Sequence, residues 1–224
     1  MSLPIKVLYE DEQYIVFDKP PGLLVIPTAK HEKHTLVDLV NRPASPAFNS
    51  INSPRLHPCH RLDRDTSGVI LFAKGKINQQ RMMEEFKQKR VQKVYLAFVR
   101  GKLKNPAGEI KSVISDVEER RFHRHAPARL SITRYKTLAV RKYFSVAEVY
   151  PITGRTNQIR IHFSEIGHPI LGERKFAFGK DFALKFRRTA LHAQSLKWFH
   201  PFLKKEIQVE SPLAEDMKEL WKTN

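Results

Sequence analysis

Residues 60–68 read His-Arg-Leu-Asp-Arg-Asp-Thr-Ser-Gly and set two carboxylates, Asp63 and Asp65, among three bases. A carboxylate that acts as a nucleophile at neutral pH must stay ionised while sheltered from water, and an arginine in contact lowers the pKa that burial alone would raise. Without that chemistry the same residues make a structural turn, with Asp65, Thr66 and Ser67 bonding nearby backbone donors. Tyr95 lies in the apolar run 94–99 and offers a ring for stacking and a hydroxyl for proton transfer, or it is an ordinary core tyrosine. Arg160 follows Ile159, which lies on the apolar face of a candidate helix. One residue is about 100° of helix rotation, so the guanidinium can flank the core and reach inward.

Two stretches are basic. Residues 120–142 hold Arg120, Arg121, Arg124, Arg129, Arg134, Lys136, Arg141 and Lys142 with no acid, and Phe122, His123, His125 and Tyr135 lie among them. Residues 174–188 hold six more bases against Asp181, with Phe176, Phe178, Phe182 and Phe186 between them. Bases interleaved with aromatics suit phosphates and splayed RNA bases. The plainer alternative is a solvated surface over core phenylalanines.

These groups need elements to carry them. The runs 5–9 and 14–17 have strand length, and Lys19-Pro20-Pro21-Gly22 ends the second as a turn. The apolar run 23–26 is expected to resume a strand. Residues 35–41 suit a short helix, and residues 41–58, rich in Pro, Ser and Asn, suit an exposed loop. Residues 67–74 read as a buried strand. Residues 76–90 read as a helix with Met82, Met83 and Phe86 on one side. The continuous run 94–99 suits a central strand buried on both faces. Further strands are expected at 110–114, 130–140, 143–150 and 191–198. Ile159, Phe163 and Ile166 fall at helical spacing within 156–166, and Gly167 stands at the stop. A last helix is expected after Ser211-Pro212, with Leu213, Met217, Leu220 and Trp221 as its apolar stripe. No repeat or linker divides the chain. Strands outnumber helices without regular alternation, so the expectation is one α+β domain around a mixed, mainly antiparallel sheet flanked by helices.

The chain has 224 residues and a hydrophobic fraction of 41%, enough for a real core. Its 40 Lys+Arg against 23 Asp+Glu give a formal net charge of +17 and a pI near 10.1. Such a charge repels itself in the compact state, and an anionic partner, nucleic acid first, relieves it. No run approaches the roughly 18 apolar residues of a membrane span. The N-terminus lacks an apolar core of signal-peptide length, and the single Cys59 forms no internal disulfide. A cytoplasmic protein is expected.

The framework His60-Arg61-Leu62-Asp63 followed by Thr66-Ser67-Gly68 resembles the signature of the RluA-type RNA pseudouridine synthases. Lys93-Val94-Tyr95-Leu96-Ala97 is similar to that family's second motif, and Gly154-Arg155-Thr156-Asn157-Gln158-Ile159-Arg160 to its third. Lys19-Pro20-Pro21-Gly22-Leu23 and Ala190-Leu191-His192-Ala193 resemble further blocks in the same order, so the likeness runs from about residue 10 to about residue 202. The resemblance implies a pseudouridine-synthase-like fold and isomerisation of uridine in ribosomal or transfer RNA. The base is detached from C1′, turned, and rejoined through C5. It further implies Asp63 as nucleophile, Tyr95 against the target uracil and Arg160 paired with Asp63. Arg61, beside the nucleophile, becomes a candidate RNA contact, since arginine bonds phosphates or stacks where a nucleotide has left the helix. Its alternative is an ion pair with Asp65.

Two departures stand out. Position 157 is Asn where the family usually has His, and the block ending in Tyr-Gly appears only loosely, as residues 172–179. No S4-type RNA-binding segment is seen before residue 10, so the catalytic domain is expected to supply most RNA contacts itself, Arg124 and Arg129 among them. The isomerisation is redox-neutral and no motif binds a nucleotide, so neither metal nor organic cofactor is expected, and the chain is expected to act as a monomer on structured RNA. Two other readings compete. A metal-dependent nuclease rests only on His31, His34, His57, Cys59 and His60, which lack the spacing of a two-His zinc helix. A non-catalytic RNA-binding module would use the same charge pattern.

Overall fold

The computed structural model describes residues 5–28, 31–42, 54–115, 128–177 and 184–222. They form ten strands and four helices, and the chain divides into two compact units, Met1–Lys93 with His192–Lys218, and Val94–Leu191 with Glu219–Asn224.

In the first unit, β1 (Lys6–Glu10) and β2 (Tyr14–Lys19) form an antiparallel pair. The turn between them is held by Asp11, whose carboxylate accepts from the amides of Gln13 and Tyr14 and from Tyr9. β2 pairs antiparallel with β4 (Ser67–Lys74), whose bounds are those read from sequence. β4 also pairs with β3 (Leu56–Pro58), a short strand in what the composition marked as loop. At its start β4 meets β9 (Leu191–His200) in parallel, Ser67 opposite His192 and Gly68 opposite Ala193. β10 (Lys205–Glu210), which sequence reading missed, closes antiparallel on β9. Alternation along β2 sends Tyr14 and Val16 into one core with Val69, Leu71, Leu196, Trp198 and Met82.

α1 (Leu36–Val40) begins at Thr35, where a reciprocal capping box with Asp38 closes the first turn. Residues 23–26 are not a strand. Their carbonyls serve other ends: Leu24 and Val25 accept from the first amides of α1, and Leu23 accepts from Lys19. α2 (Lys76–Lys87) buries Met82 completely and leaves Met83 half exposed, because adjacent helical residues point about 100° apart.

In the second unit, β5 (Gln92–Arg100), β8 (Phe144–Pro151), β7 (Arg129–Val140) and β6 (Ala107–Ile114) pair antiparallel in that order. β5 is no edge: its other side accepts Leu171 and donates to Pro169 and Ala190. α3 (Gln158–Glu165) buries Ile159 and Phe163, while Ile166 caps the end and is more than a third exposed. α4 (Glu215–Lys222) starts later than expected, since Ser211 is not its cap: the Ser211 hydroxyl donates to Asp18 and its amide to Gln194. In the first unit α4 buries Met217. In the second, the ring of Trp221 stands edge-on to Phe98 at 5.6 Å.

Gly68 has φ +108°, and a Cβ there would lie 2.1 Å from the carbonyl oxygen of Ala193. Gly22 has φ +82° with open space around it. Gly68→Ala should therefore cost about 3 kcal/mol or more, from strain plus overlap with backbone, and Gly22→Ala about 1–2 kcal/mol from strain alone. Urea unfolding of the two variants checks the difference.

Candidate active site

The segment around Asp63 is pinned by side chains the chain brings from far away. Asp63 is partly buried at the start of a turn in which its carbonyl accepts from the Thr66 amide at 3.1 Å. Lys19, 0% exposed, donates to the carbonyls of Pro20 at 2.9 Å, Leu23 at 2.8 Å and Arg64 at 2.9 Å. Three N–H groups thus meet three carbonyl oxygens, which is how a buried ammonium is tolerated. The Lys-Pro-Pro-Gly-Leu turn and the residue following Asp63 are joined by one cation.

His60 fixes the other end. Its Nε2 accepts the Leu71 amide at 3.0 Å, and its ring lies 5.0 Å from that of Phe86. Burial, aided by the nearby charge of Lys93, pushes His60 down to about 3, so it stays neutral and keeps its acceptor. Burial also lowers Lys93, to about 8. Leu62 is buried, whereas Arg61 is exposed. Past the turn, Ser67 Oγ lies 2.9 Å from His192 Nδ1, and His192 Nε2 is 3.3 Å from the Ser211 carbonyl. A carbonyl only accepts, so Nε2 carries the proton and Nδ1 accepts from Ser67. The Thr-Ser-Gly and Ala-Leu-His-Ala blocks, 125 residues apart, are thereby one structure.

The second unit carries Tyr95 and Arg160. Tyr95 is partly buried on β5 opposite Val149 of β8. The loop before α3 is fastened by Gln158, whose Oε1 accepts from Thr153 and the Arg155 amide and whose Nε2 donates to Ile132 and Thr133. Arg160 is held by Glu173, a residue sequence reading gave no role: Nε donates to Oε2 at 2.6 Å and Nη2 to Oε1 at 2.9 Å. Burial pushes the Glu173 carboxyl up, but hydrogen bonds from Arg160 and the Lys175 amide, with the guanidinium charge, outweigh it and hold it below the usual carboxylate range. Asn157, the departure from the family pattern, takes φ +58° before α3 and accepts from Arg160 Nη1 at 2.6 Å. Only its place directly after Gly172 hinted at Glu173.

Of the basic residues, Arg129 is exposed at the start of β7, and Arg124 lies outside the described residues. The stretch 120–142 contains no acid of its own, yet Glu109 of β6 forms ion pairs with both Arg134 and Lys111 at 2.7 Å. Phe176 lies against the Arg160 guanidinium, 5.2 Å from ring centroid to carbon, and Phe186 under Arg188. Phe178 and Phe182 are outside the described residues. Among the described residues, no three His, Cys, Asp or Glu side chains gather as a metal would require, and no helix is long and apolar enough to cross a membrane. Two of the histidines that suggested a nuclease have other partners: His34 meets Arg42, and His60 meets Leu71.

The model of the RNA pseudouridylate synthase family matches residues 13–165. The chain is 31% identical over 226 residues to the uncharacterized RNA pseudouridine synthase YhcT of Bacillus subtilis, covering 98% of this chain and 72% of the relative. It is 33% identical over 233 residues to the ribosomal large subunit pseudouridine synthase D of Xylella fastidiosa, covering 98% and 69%. In fold it is similar to human RNA pseudouridylate synthase domain containing 4, with TM-score 0.73 and 23% identity over 96% of this chain and 92% of that one. Domain containing 1, also human, has TM-score 0.70 and 24% identity over 93% and 83%. At these identities the solved structures speak for the fold alone.

An unfolded chain protonates His60 below its ordinary value of 6.5, and the folded chain only near 3. Between these limits the unfolded state binds the extra proton, so this part of the stability is complete above about pH 6.5 and is lost as pH falls towards 3. His60→Gln, which keeps an acceptor for the Leu71 amide, should remove up to about one proton from the pH dependence of unfolding across that range. Urea denaturation of wild type and variant at several acidic pH values checks it.

Proposed function

Since the chain belongs to the RNA pseudouridylate synthase family, whose reaction turns uridine in RNA into pseudouridine, we propose that it acts on ribosomal or transfer RNA with Asp63 as the nucleophile. The observation that carries this reading is the partly buried Asp63, at a turn that Lys19 and His60 hold from either side. A carboxylate in a fixed backbone needs no rearrangement before it attacks, and preorganisation of this kind lowers barriers. It attacks the target nucleotide at C1′ or on the uracil ring. Tyr95 lies against the uracil, with its hydroxyl available for proton transfer, and Arg160 pairs with Asp63.

The name of the Xylella relative, which specifies the ribosomal large subunit, favours ribosomal RNA as the first substrate to test. Arg61 is exposed beside the nucleophile, where a flipped nucleotide exposes phosphates and a stacking face. Arg124 and Arg129 bind backbone phosphates. The 224 residues act as one catalytic domain and as a monomer, in the cytoplasm, without metal or organic cofactor, because the reaction moves no electrons to an acceptor and Asp63 supplies the attacking charge.

Asp63→Asn keeps the side-chain shape and removes that charge. RNA binding should survive and pseudouridine formation vanish, measured in a single turnover on unmodified ribosomal and transfer RNA transcripts carrying tritium at uridine C5. Product at the wild-type rate from Asp63→Asn, with loss in Asp65→Asn, would move the nucleophile to Asp65.

The phosphate contacts have their own signature. Affinity should fall with salt by roughly 0.7–0.9 log units per log unit of salt for each phosphate neutralised. Changing Arg124 and Arg129 together to Ala should flatten that slope while the rate at saturating RNA holds, because charge far from the reacting base acts equally on ground and transition states. Filter binding at several salt concentrations measures it, and an unchanged slope would remove both arginines from the interface.

A further inference from the structure

The guanidinium of Arg160 is oriented by its neighbours to a degree that a generic surface arginine is not. Three of its five N–H groups are committed within the second unit: Nε and Nη2 to the two oxygens of Glu173, and Nη1 to Asn157 Oδ1. The ring of Phe176 lies against it at 5.2 Å. These contacts fix both the position of the head and the plane in which its remaining N–H vectors lie, which matters because arginine otherwise carries about 2 kcal/mol of rotamer entropy.

Glu173 is itself immobilised. Its side chain is 0% exposed, against 16% for Arg160. Oε1 accepts the amides of Lys175 at 2.8 Å and Phe176 at 3.3 Å besides Arg160 Nη2. The backbone arrives at Glu173 through Gly172, where φ is +76° and a Cβ would stand 1.8 Å from the Arg188 carbonyl oxygen. Just before it, the Leu171 amide donates to Phe98 and the Arg100 amide to Pro169, which lays residues 169–171 along β5. The Ser164 hydroxyl donates to the Phe176 carbonyl and ties the far side to α3. Asn157 is suited to its own place, since asparagine tolerates the left-handed backbone at φ +58° better than most side chains and its short amide reaches Arg160 three residues on.

We infer that Glu173 and Asn157 are positioning residues that set the direction of the Arg160 guanidinium. The inference rests on the proposed role of Arg160 beside the nucleophile. It also assigns a use to Asn157 where the family usually has His: the acceptor is Oδ1 of a neutral amide, which holds Nη1 at any pH.

Glu173→Gln isolates the effect. The amide oxygen can keep the Lys175 and Phe176 amides and Nη2, but the new NH2 faces the Nε–H of Arg160, donor against donor. Tritium release from the same transcripts at saturating RNA should fall about 10- to 100-fold, the scale on which small misplacement acts, with RNA affinity unchanged. Asn157→Gly keeps the backbone conformation and deletes one acceptor, so it should lose less, about 3- to 10-fold. Both losses should largely disappear in an Arg160→Lys background, since a lysine cannot make the bidentate pair. Equal losses in the Arg160 and Lys backgrounds would show that the two residues support the fold generally and would overturn the inference. Wild-type rates in both Glu173→Gln and Asn157→Gly, with Arg160→Lys impaired, would overturn it while leaving the role of Arg160 intact. Should Glu173→Gln fail to fold, Asn157→Gly in the two backgrounds decides alone. If Arg160→Lys and Asp63→Asn both turn over at the wild-type rate, it is the underlying reading of the site that fails.

Discussion

A lysine ammonium with no exposed surface lies beneath the candidate nucleophile. Taking such an ion out of water costs several kcal/mol, and hydrogen bonds to a charged group return about 1.5–3 kcal/mol each. The interior position of Lys19 is therefore tenable only while the Pro20, Leu23 and Arg64 carbonyls all point at it. The dependence runs both ways. The Leu23 carbonyl belongs to the segment whose next carbonyls hold the first turn of α1, and the Arg64 carbonyl belongs to the turn that Asp63 begins. A short helix, a proline turn and the acid share one electrostatic condition, which explains why a buried cation is more useful here than an apolar side chain of like volume: a hydrocarbon would leave three carbonyls unsatisfied.

The second unit solves a similar problem with a neutral amide and a carboxylate. Gln158 uses both ends of its side chain to fasten the loop before α3 to β7, and Glu173 accepts four hydrogen bonds to bring a loop and a helix together at Arg160. In each unit the segments nearest to the proposed chemistry are fastened by buried polar side chains, Lys19 in the first and Gln158 and Glu173 in the second. Buried polar networks are costly when half satisfied and specific when complete.

Much of this was visible in the sequence. β4 was read to the residue from its apolar run, and the short helix read over 35–41 is α1 at 36–40 with Thr35 and Asn41 as its caps. The failures have physical causes. Residues 23–26 are apolar like a strand, yet their backbone partners are helix amides and an ammonium, which no periodicity reveals. β10 was missed because only Ile207 and Val209 point inward among polar and charged neighbours. Ser211 had the composition of a helix cap but is claimed by Asp18, 193 residues away. At the site, the motif blocks singled out Asp63, Tyr95 and Arg160 as candidates, whereas the contacts of Lys19 and Glu173 were hidden: lysine is ordinarily a surface residue, and Glu173 reaches its partner through a turn at Gly172 that leaves no room for a Cβ.

The first unit is discontinuous, built from Met1–Lys93 and His192–Lys218. During synthesis its opening ninety residues leave the ribosome long before β9 exists, and at roughly 5–20 residues per second the delay is several seconds or more. Through that interval Gly68 has no Ala193 opposite it and Ser67 no His192. The nascent chain thus carries an open strand end beside Asp63, the proposed nucleophile, a natural place for a holdase to bind or for two unfinished chains to pair. Arrival of His192 ends that exposure and encloses the Thr-Ser-Gly end of the turn that Asp63 begins, before β10 closes on the other side of β9.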